Sequence, residues 1–340
     1  MESLLLLLPL LAAVVLANFG ERHRRSPYVM FRDARLNALA GQALRYSSYG
    51  LLIAINVGLL GYAGLAVLNQ LVTVLMPEQV EPTALATDWW GVAIASLATS
   101  LAAFLPLVPA VRRWLARWLP LDPDSLVHTT ALVLAVYQIG LSLGQMALIG
   151  DLENLLEADF ALTIWDLLLS ALPLLLFTLV GVGLFIRRDG RSTLQRLGLS
   201  RPTWKHWLAA AGVTILLLAF DFGTRLLWYE VDPTGQDLVA QVTENLFGKM
   251  ASVGGAIVLG LSAGISEELL FRGAVQPRLG LLLATLLFAV GHLQYGLSVA
   301  TLEIFVIGLV LGVMRARTST TIAIVIHASY NALGMLLGLS

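Results

Sequence analysis

The 340-residue sequence contains no cysteine and is poor in charge. Without cysteine the chain can form neither a disulfide bond, nor a thiolate nucleophile, nor a thiolate ligand for a metal. Charged residues make up only 13% of the sequence, against about 25% in soluble domains. No basic stripe with interleaved aromatic residues is present, so nothing indicates a nucleic-acid partner.

Apolar residues are abundant where charge is scarce. They make up 58% of the sequence, and the mean hydropathy is +0.81. A helix needs ~20 mostly apolar residues to cross a bilayer. The sequence therefore predicts an all-α, polytopic transmembrane helix bundle of about ten spans. The predicted spans cover residues 3–19, 48–76, 89–111, 126–150, 161–186, 206–228, 250–271, 280–297, 299–315 and 319–338.

Charge alternates from one loop to the next. Basic loops occur at 21–46, 112–117 and 187–205, and acidic loops occur between them at 77–88, 151–159 and 230–244. The positive-inside rule then places both termini outside. The first apolar run lacks a preceding basic region, which favours a retained helix over a cleaved signal peptide. We expect an integral protein of a bacterial inner (plasma) membrane.

The basic segment 187–205 is the best internal boundary of the chain. It separates five spans without polar motifs, residues 1–190, from a region at 200–340 that carries every such motif. We therefore expect an N-terminal five-span membrane region and a second membrane domain. The purpose of the first five spans is not indicated by the sequence.

Two glutamates and an arginine interrupt a strongly apolar segment at Glu267, Glu268 and Arg272. Buried charge in a membrane is costly and by default indicates function. Glu268 and Arg272 are four residues apart, so they can pair on one helix face, whereas Glu267 points elsewhere. Glu267 is then free for chemistry. Alternatively, both glutamates merely neutralise Arg272 and Arg278.

Two later segments repeat the pattern of polar groups at helical spacing. Phe288 precedes His292 by four residues, and His327 precedes Asn331 by four. His292, His327 and Asn331 could each form a hydrogen bond to a neighbouring helix. A carboxylate, two imidazoles and an amide together, however, are the parts of a hydrolytic site.

Other polar residues within the spans are less specific. Asp221 and Arg225 should form a structural pair, and Glu303 could border the same cavity as the motifs. Helix rise puts Glu267 ~7 Å, His327 ~15 Å and His292 ~21 Å from the nearest basic residue. The three side chains are thus predicted at different depths, although a single site requires a common depth. Their distances from the basic residues slightly favour a cavity open to the cytoplasm.

The three motifs together resemble those of the CPBP intramembrane protease family, which includes CAAX prenyl endopeptidases and the bacterial Abi proteins. They read Glu267-Glu268-x-x-x-Arg272, Phe288-x-x-x-His292 and His327-x-x-x-Asn331, in the family's order and on separate helices. The resemblance covers residues 250–340, within the region 200–340, and excludes the first five spans.

This resemblance implies an intramembrane endopeptidase. By analogy, Glu267 and His292 would activate water, His327 and Asn331 would donate to the oxyanion, and Glu268, Arg272 and Phe288 would support them. If zinc is used, Glu267, His292 and His327 would be its ligands. The implied partners are the lipid bilayer and a protein or peptide substrate, which is lipidated in the eukaryotic precedent. The alternatives are a non-catalytic scaffold or immunity protein of the same fold and a transporter.

Overall fold

The computed structural model describes residues 2–25, 33–76, 88–150, 152–157 and 161–338. Throughout these ranges the chain is a bundle of α-helices without a named strand, which confirms the predicted all-α class. The helices are α1 (Glu2–Arg25), α2 (Ala34–Leu75), α3 (Trp89–Phe104), α4 (Pro109–Leu115), α5 (Leu126–Ile149), α6 (Leu152–Glu157), α7 (Ile164–Val182), α8 (Gly190–Arg196), α9 (Trp204–Val231), α10 (Pro233–Phe247), α11 (Val253–Glu268), α12 (Gln276–Val290), α13 (Val299–Arg317) and α14 (Thr320–Leu337).

Eight helical stretches in the described part of the chain are long and apolar enough to cross a membrane. They differ from the predicted spans in two places. The stretch at 2–25 is helical but is not among the eight, and the predicted spans 250–271 and 280–297 form one helical stretch, Val253–Val290. The number ten, the outside termini and the division at 187–205 stay predictions. Residues 77–87, 151 and 158–160 of the acidic loops lie outside the described residues.

The stretch Val253–Val290 is not a straight rod. After α11 the chain makes a π-helix at Leu269–Val275, and inside α12 Gly280 has φ 80° and ψ 169°. Only glycine adopts this conformation readily, so the helix direction breaks there. Glu267 lies thirteen residues before Gly280 and His292 twelve residues after it. A reversal at Gly280 therefore brings both side chains to the same depth.

Helices α11 and α14 pack closely because two glycines face one alanine. A Cβ atom on Gly260 would come within 2.3 Å of the Ala328 carbonyl oxygen, and one on Gly264 within 2.9 Å of the Ala328 nitrogen. Glycines four residues apart allow such backbone contact between membrane helices. Their packing brings His327, the neighbour of Ala328, against the end of α11.

The segment between the two predicted regions also packs against the π-helix. Leu197 is 1% exposed and clusters with Leu269. The Arg196 guanidinium donates to the carbonyl oxygens of Gly273 and Ala274 at 2.8 and 3.2 Å. These bonds satisfy carbonyl groups of the π-helix from outside it and fix its position.

Candidate active site

Glu267 and His292 face each other across a cavity. Their Oε2 and Nε2 atoms are 3.7 Å apart, and both side chains are partly accessible, at 18% and 24%. In the described part of the chain, Oε2 of Glu267 has no hydrogen-bond partner. A straight helix would separate residues 267 and 292 by about 37 Å. The reversal of the chain at Gly280 thus explains how Glu267 and His292 meet, although helix rise along straight helices predicted different depths for them.

The orientation of the His292 ring determines which of its nitrogen atoms faces the cavity. Its Nδ1 lies 2.8 Å from the Phe288 carbonyl oxygen, which can only accept a hydrogen bond. Nδ1 must therefore carry the proton, and in neutral His292 the lone pair is on Nε2, directed to Glu267. The spacing of Phe288 and His292 thus fixes the tautomer.

Glu268, Arg272 and His327 form a buried charged cluster behind this pair. Glu268 and Arg272 are both 0% exposed. Glu268 accepts from His327 Nδ1 at 3.0 Å, and its other oxygen lies 3.4 Å from Arg272 Nε. The Glu268–Arg272 pairing has the predicted spacing. His327 is a second partner of Glu268, which its helical spacing did not indicate.

Phe288 is the apolar centre of the cluster. Its ring centroid lies 4.9 Å from that of His292 and 5.7 Å from that of His327. The Arg272 guanidinium lies over the same ring, 4.7 Å from its centroid, as a cation–π contact. Phe288 therefore contacts both histidines and the Arg272 guanidinium.

The cavity beside these residues has a volume of about 720 Å³. Its lining includes Glu267, His292, His327 and Asn331 together, and it also includes Glu303. Its lining therefore unites all four residues predicted to act in catalysis. Two features were not predicted: the walls contributed by α5, α7 and α10, and the polar side chains Asp221, Arg225, Tyr295 and Tyr330.

The cavity extends toward the acidic loops, not toward the basic ones. It is lined by residues near the ends of α5 and α9, Ile149 and Trp228, and near the beginnings of α7 and α13, Leu167 and Ala300. The ends of α5 and α9 and the beginning of α7 adjoin loops that carry acidic residues, whereas α13 begins after a segment without acidic residues at 291–298. The predicted opening to the cytoplasm and the predicted outside position of the acidic loops therefore do not agree with each other, and both stay predictions.

The zinc ligand set suggested by the sequence does not fit the observed arrangement. Nδ1 of His327 is bonded to Glu268, which leaves only Nε2 of that ring for a further partner, and the Phe288 ring contacts both histidines. Among the described residues, no group of three or more His, Asp or Glu side chains is arranged to hold a metal ion. The chemistry proposed below uses only side chains of the chain itself.

Two glycine pairs position the site, and the sequence analysis did not predict this role for them. Gly260 and Gly264 allow α11 to contact α14, as described above. On α13, Gly308 accepts from Arg272 at 3.0 Å and Gly312 accepts from Gln276 at 2.9 Å through their carbonyl oxygens. Both pairs have the spacing of small residues that mediate close helix packing in membranes.

Comparison with known proteins agrees with the motifs. Residues 249–333 match the family described as type II CAAX prenyl endopeptidase Rce1-like, a segment that contains all seven predicted site residues. The uncharacterized protein YpbD of Bacillus subtilis (strain 168) is 32% identical over 122 residues, which are 36% of this chain and 61% of that protein. No solved structure matches significantly. The resemblance of the C-terminal segment to the CPBP intramembrane protease family is thereby confirmed.

Proposed function

We propose that this protein is an intramembrane endopeptidase in which Glu267 and His292 activate the attacking water. The observation that carries the proposal is the gap of 3.7 Å between Glu267 Oε2 and His292 Nε2. The gap is too long for a direct hydrogen bond, but a water molecule at its edge can reach both atoms.

Both groups are hydrogen-bond acceptors toward that water. Oε2 of Glu267 has no donor among the described residues, and His292 Nδ1 donates its proton to the Phe288 carbonyl oxygen, which leaves Nε2 as an acceptor. A water that donates one hydrogen to each keeps its oxygen lone pairs free for a carbonyl carbon. Glu267 takes the proton as the oxygen attacks, and it then supplies this proton to the leaving amine.

His327 and Asn331 are suited to stabilise the negative charge that develops on the carbonyl oxygen. In the imidazolium form, His327 keeps Nδ1–H bonded to Glu268 and presents Nε2–H as a donor. The Asn331 amide is a second donor on the same cavity wall. Removal of one such donor typically lowers kcat by about 10²–10³-fold. Glu268 and Arg272 act as positioning residues behind His327.

The cavity supports a peptide or protein segment as the substrate. Its volume of about 720 Å³ is within the range of about 300–1,000 Å³ usual for ligand clefts. Its lining combines apolar side chains with the polar groups named above, so an extended segment with apolar residues would fit. We propose no particular sequence, and a lipidated chain end stays one of the candidate substrates.

The test is a comparison of Glu267→Gln with Glu230→Gln, an exposed glutamate outside the cavity. Peptidase activity of the purified protein in liposomes is measured with a quenched fluorescent peptide library, together with Tm in detergent. We expect Glu267→Gln to lower kcat by about 10²–10⁴-fold with an unchanged Tm, because the base is removed and the shape is kept. Undiminished activity in Glu267→Gln would falsify this mechanism. A complete absence of activity in the wild type would favour a non-catalytic scaffold.

A further inference from the structure

A second cavity lies between the N-terminal helices and the π-helix, on the side of the basic loops. Its volume is about 300 Å³, and α1, α5, α7, the π-helix and α12 contribute to it. Its walls are mainly apolar. Leu141, one of its lining residues, is 56% exposed. The cavity therefore opens on the outer surface of the bundle, where lipid is expected. Its apolar lining includes Leu7, Leu10, Val14, Ala131, Leu134 and Leu270.

Five arginines also line this cavity, and we name them the rim arginines: Arg25, Arg187, Arg188, Arg196 and Arg278. Four of them have no carboxylate partner among the described residues, since only Arg25 is paired, with Glu21. The carboxylate of Glu21 also accepts from Arg24. The cavity thus has a surplus of positive charge at its rim.

The four unpaired rim arginines bond to uncharged groups instead. Arg187 donates to the Asn18 side chain at 2.6 Å, and Arg188 donates to the Val182 carbonyl oxygen. Arg196 donates to two carbonyl groups of the π-helix, and Arg278 donates to the carbonyl oxygen of Pro277 at 3.4 Å. Carbonyl groups fix the position of a guanidinium but do not neutralise its charge.

The rim arginines destabilise one another's charge. Burial, followed by repulsion from neighbouring arginines, lowers the pKa of Arg187 to about 10 and that of Arg196 to about 10. The pKa of Arg188 is lowered for the same reasons, with Arg25 and Arg278 as the neighbours. Repulsion of this kind is relieved when an anion binds among the charges.

We propose that this cavity binds an anionic phospholipid, with its phosphate among the rim arginines and an acyl chain between the apolar walls. The charge surplus selects an anion, and the apolar interior that opens on the bundle surface selects one with a hydrocarbon chain. A membrane phospholipid of net negative charge has both parts. The site does not depend on the proposed catalytic activity.

The same cavity gives the N-terminal helices a role. Helices α1, α5 and α7 lie outside the segment 249–333 that matches the endopeptidase family, yet they form most of the wall. Phe271 of the π-helix and Gln138 of α5 line both this cavity and the candidate active site. Bound lipid therefore contacts side chains that also shape the substrate cavity.

The binding test uses the full chain in a non-ionic detergent, with Tm followed against increasing amounts of three probes. These are dihexanoyl phosphatidylglycerol, dihexanoyl phosphatidylcholine and inorganic phosphate. We expect phosphatidylglycerol alone to raise Tm, because ligands that bind only the folded state stabilise it. Arg278→Gln should raise the concentration required about fivefold, since one arginine near a membrane surface contributes about 1 kcal/mol.

Matched variants separate this site from general charge attraction. Arg191→Gln and Arg201→Gln remove exposed arginines of the same basic segment that do not line the cavity, and they should leave the titration unchanged. Ala131→Phe should abolish the Tm shift by filling the apolar part. Equal weakening by Arg191→Gln and Arg278→Gln would overturn the proposal. So would an equal response to phosphatidylcholine or phosphate, or a full response in Ala131→Phe.

Discussion

At the scale of single residues, Arg272 connects the elements of the candidate site. It is fully buried and contacts Glu268 on its own helical stretch, Gly308 on α13 and the ring of Phe288. Each contact alone is ordinary. Their combination on one side chain ties the motif at 267–272 to two other helices.

Arg272→Ala should unfold the protein at a distinctly lower temperature. Among the described residues, the substitution leaves the buried Glu268 carboxylate with His327 as its remaining partner, and breaking a buried pair costs about 3–5 kcal/mol. Arg272→Lys should fall between wild type and Arg272→Ala, because lysine keeps the charge but lacks the planar fork. Thermal unfolding in detergent measures both, with Arg201→Ala as the exposed control. A Tm for Arg272→Ala equal to that of Arg201→Ala would contradict this assignment.

The described residues contain no three-ligand group at the site, and this leads to an expectation about metals. Because the side chains at the site are arranged for acid–base chemistry without a three-ligand set, purified protein should keep its peptidase activity after chelation and dialysis. The measurement is elemental analysis of the same active sample. Activity that disappears on chelation and returns with Zn²⁺ would require a different ligand arrangement from the one described here.

The sequence predicted individual residues well where the partners lie on one helix. Glu268 and Arg272, or Phe288 and His292, are four residues apart, and helix periodicity alone predicts that they share a face. The Glu268–His327 bond joins residues 59 apart on different helices. No local periodicity encodes such a contact, since it depends on how α11 packs against α14.

At the scale of helices, apolar runs predicted the all-α class and most of the membrane helices, whereas they did not predict the direction changes within helices, and the number of spans stays a prediction. Apolar runs of sufficient length indicated the helices, because the bilayer imposes their length. The π-helix at Leu269–Val275 and the break at Gly280 have no such signature. A π-helix inserts an extra residue per turn and often occurs at functional sites, and here it adjoins Glu267 and Glu268.

The contact between α11 and α14 can be tested with two glycines of one helix. Gly260→Ala places a Cβ atom within 2.3 Å of a backbone carbonyl oxygen, whereas the Cβ of Gly254→Ala meets nothing within 4 Å. We expect Gly260→Ala to lower both Tm and kcat, because α14 must move away and displace His327. Gly254→Ala should be neutral or slightly stabilising, by up to about 1 kcal/mol, since alanine favours helix. Identical behaviour of the two variants would refute this account of the packing.

At the scale of the whole molecule, the two cavities lie toward opposite ends of the bundle. The larger one adjoins the acidic loops and contains the candidate catalytic residues, and the smaller one adjoins the basic loops and contains the rim arginines. Helices α5 and α7 line both. The predicted regions 1–190 and 200–340 are therefore in close contact through shared cavity walls. Composition could not predict this contact, because helix surfaces that face lipid and helix surfaces that face protein contain the same types of apolar residue.

The end of α1 contains a buried carboxylate, Glu21, that pairs with Arg24 and Arg25 of the same helix, and its contribution to stability should depend on pH. Burial raises the pKa of Glu21, but hydrogen bonds from Arg24, Arg25 and Ser125 outweigh it, so the pKa is lowered from its usual 4.5. A carboxyl with a depressed native pKa stabilises the fold above its unfolded pKa, and this contribution disappears as pH falls through the native value.

Glu21→Gln should therefore have a lower Tm than wild type between pH 6 and 8, by a constant amount. Below a pH of about 4.5 the difference should shrink, since wild-type Glu21 itself becomes protonated. Thermal unfolding across this pH range measures the difference directly. A gap that persists undiminished at pH 3 would mean that Glu21 contributes by packing and not by charge.

The break at Gly280 also has a consequence for how the protein enters the bilayer. The helix beyond it ends at Val290, so it is only about 15 Å long, half the hydrocarbon thickness of about 30 Å. Such a piece cannot partition into lipid as an independent unit, and the irregular backbone at Gly291–Gly296 that follows it needs protein or water around it. Helices α13 and α14 must therefore insert together with this short helix. His292 then reaches its place only during assembly of the helices.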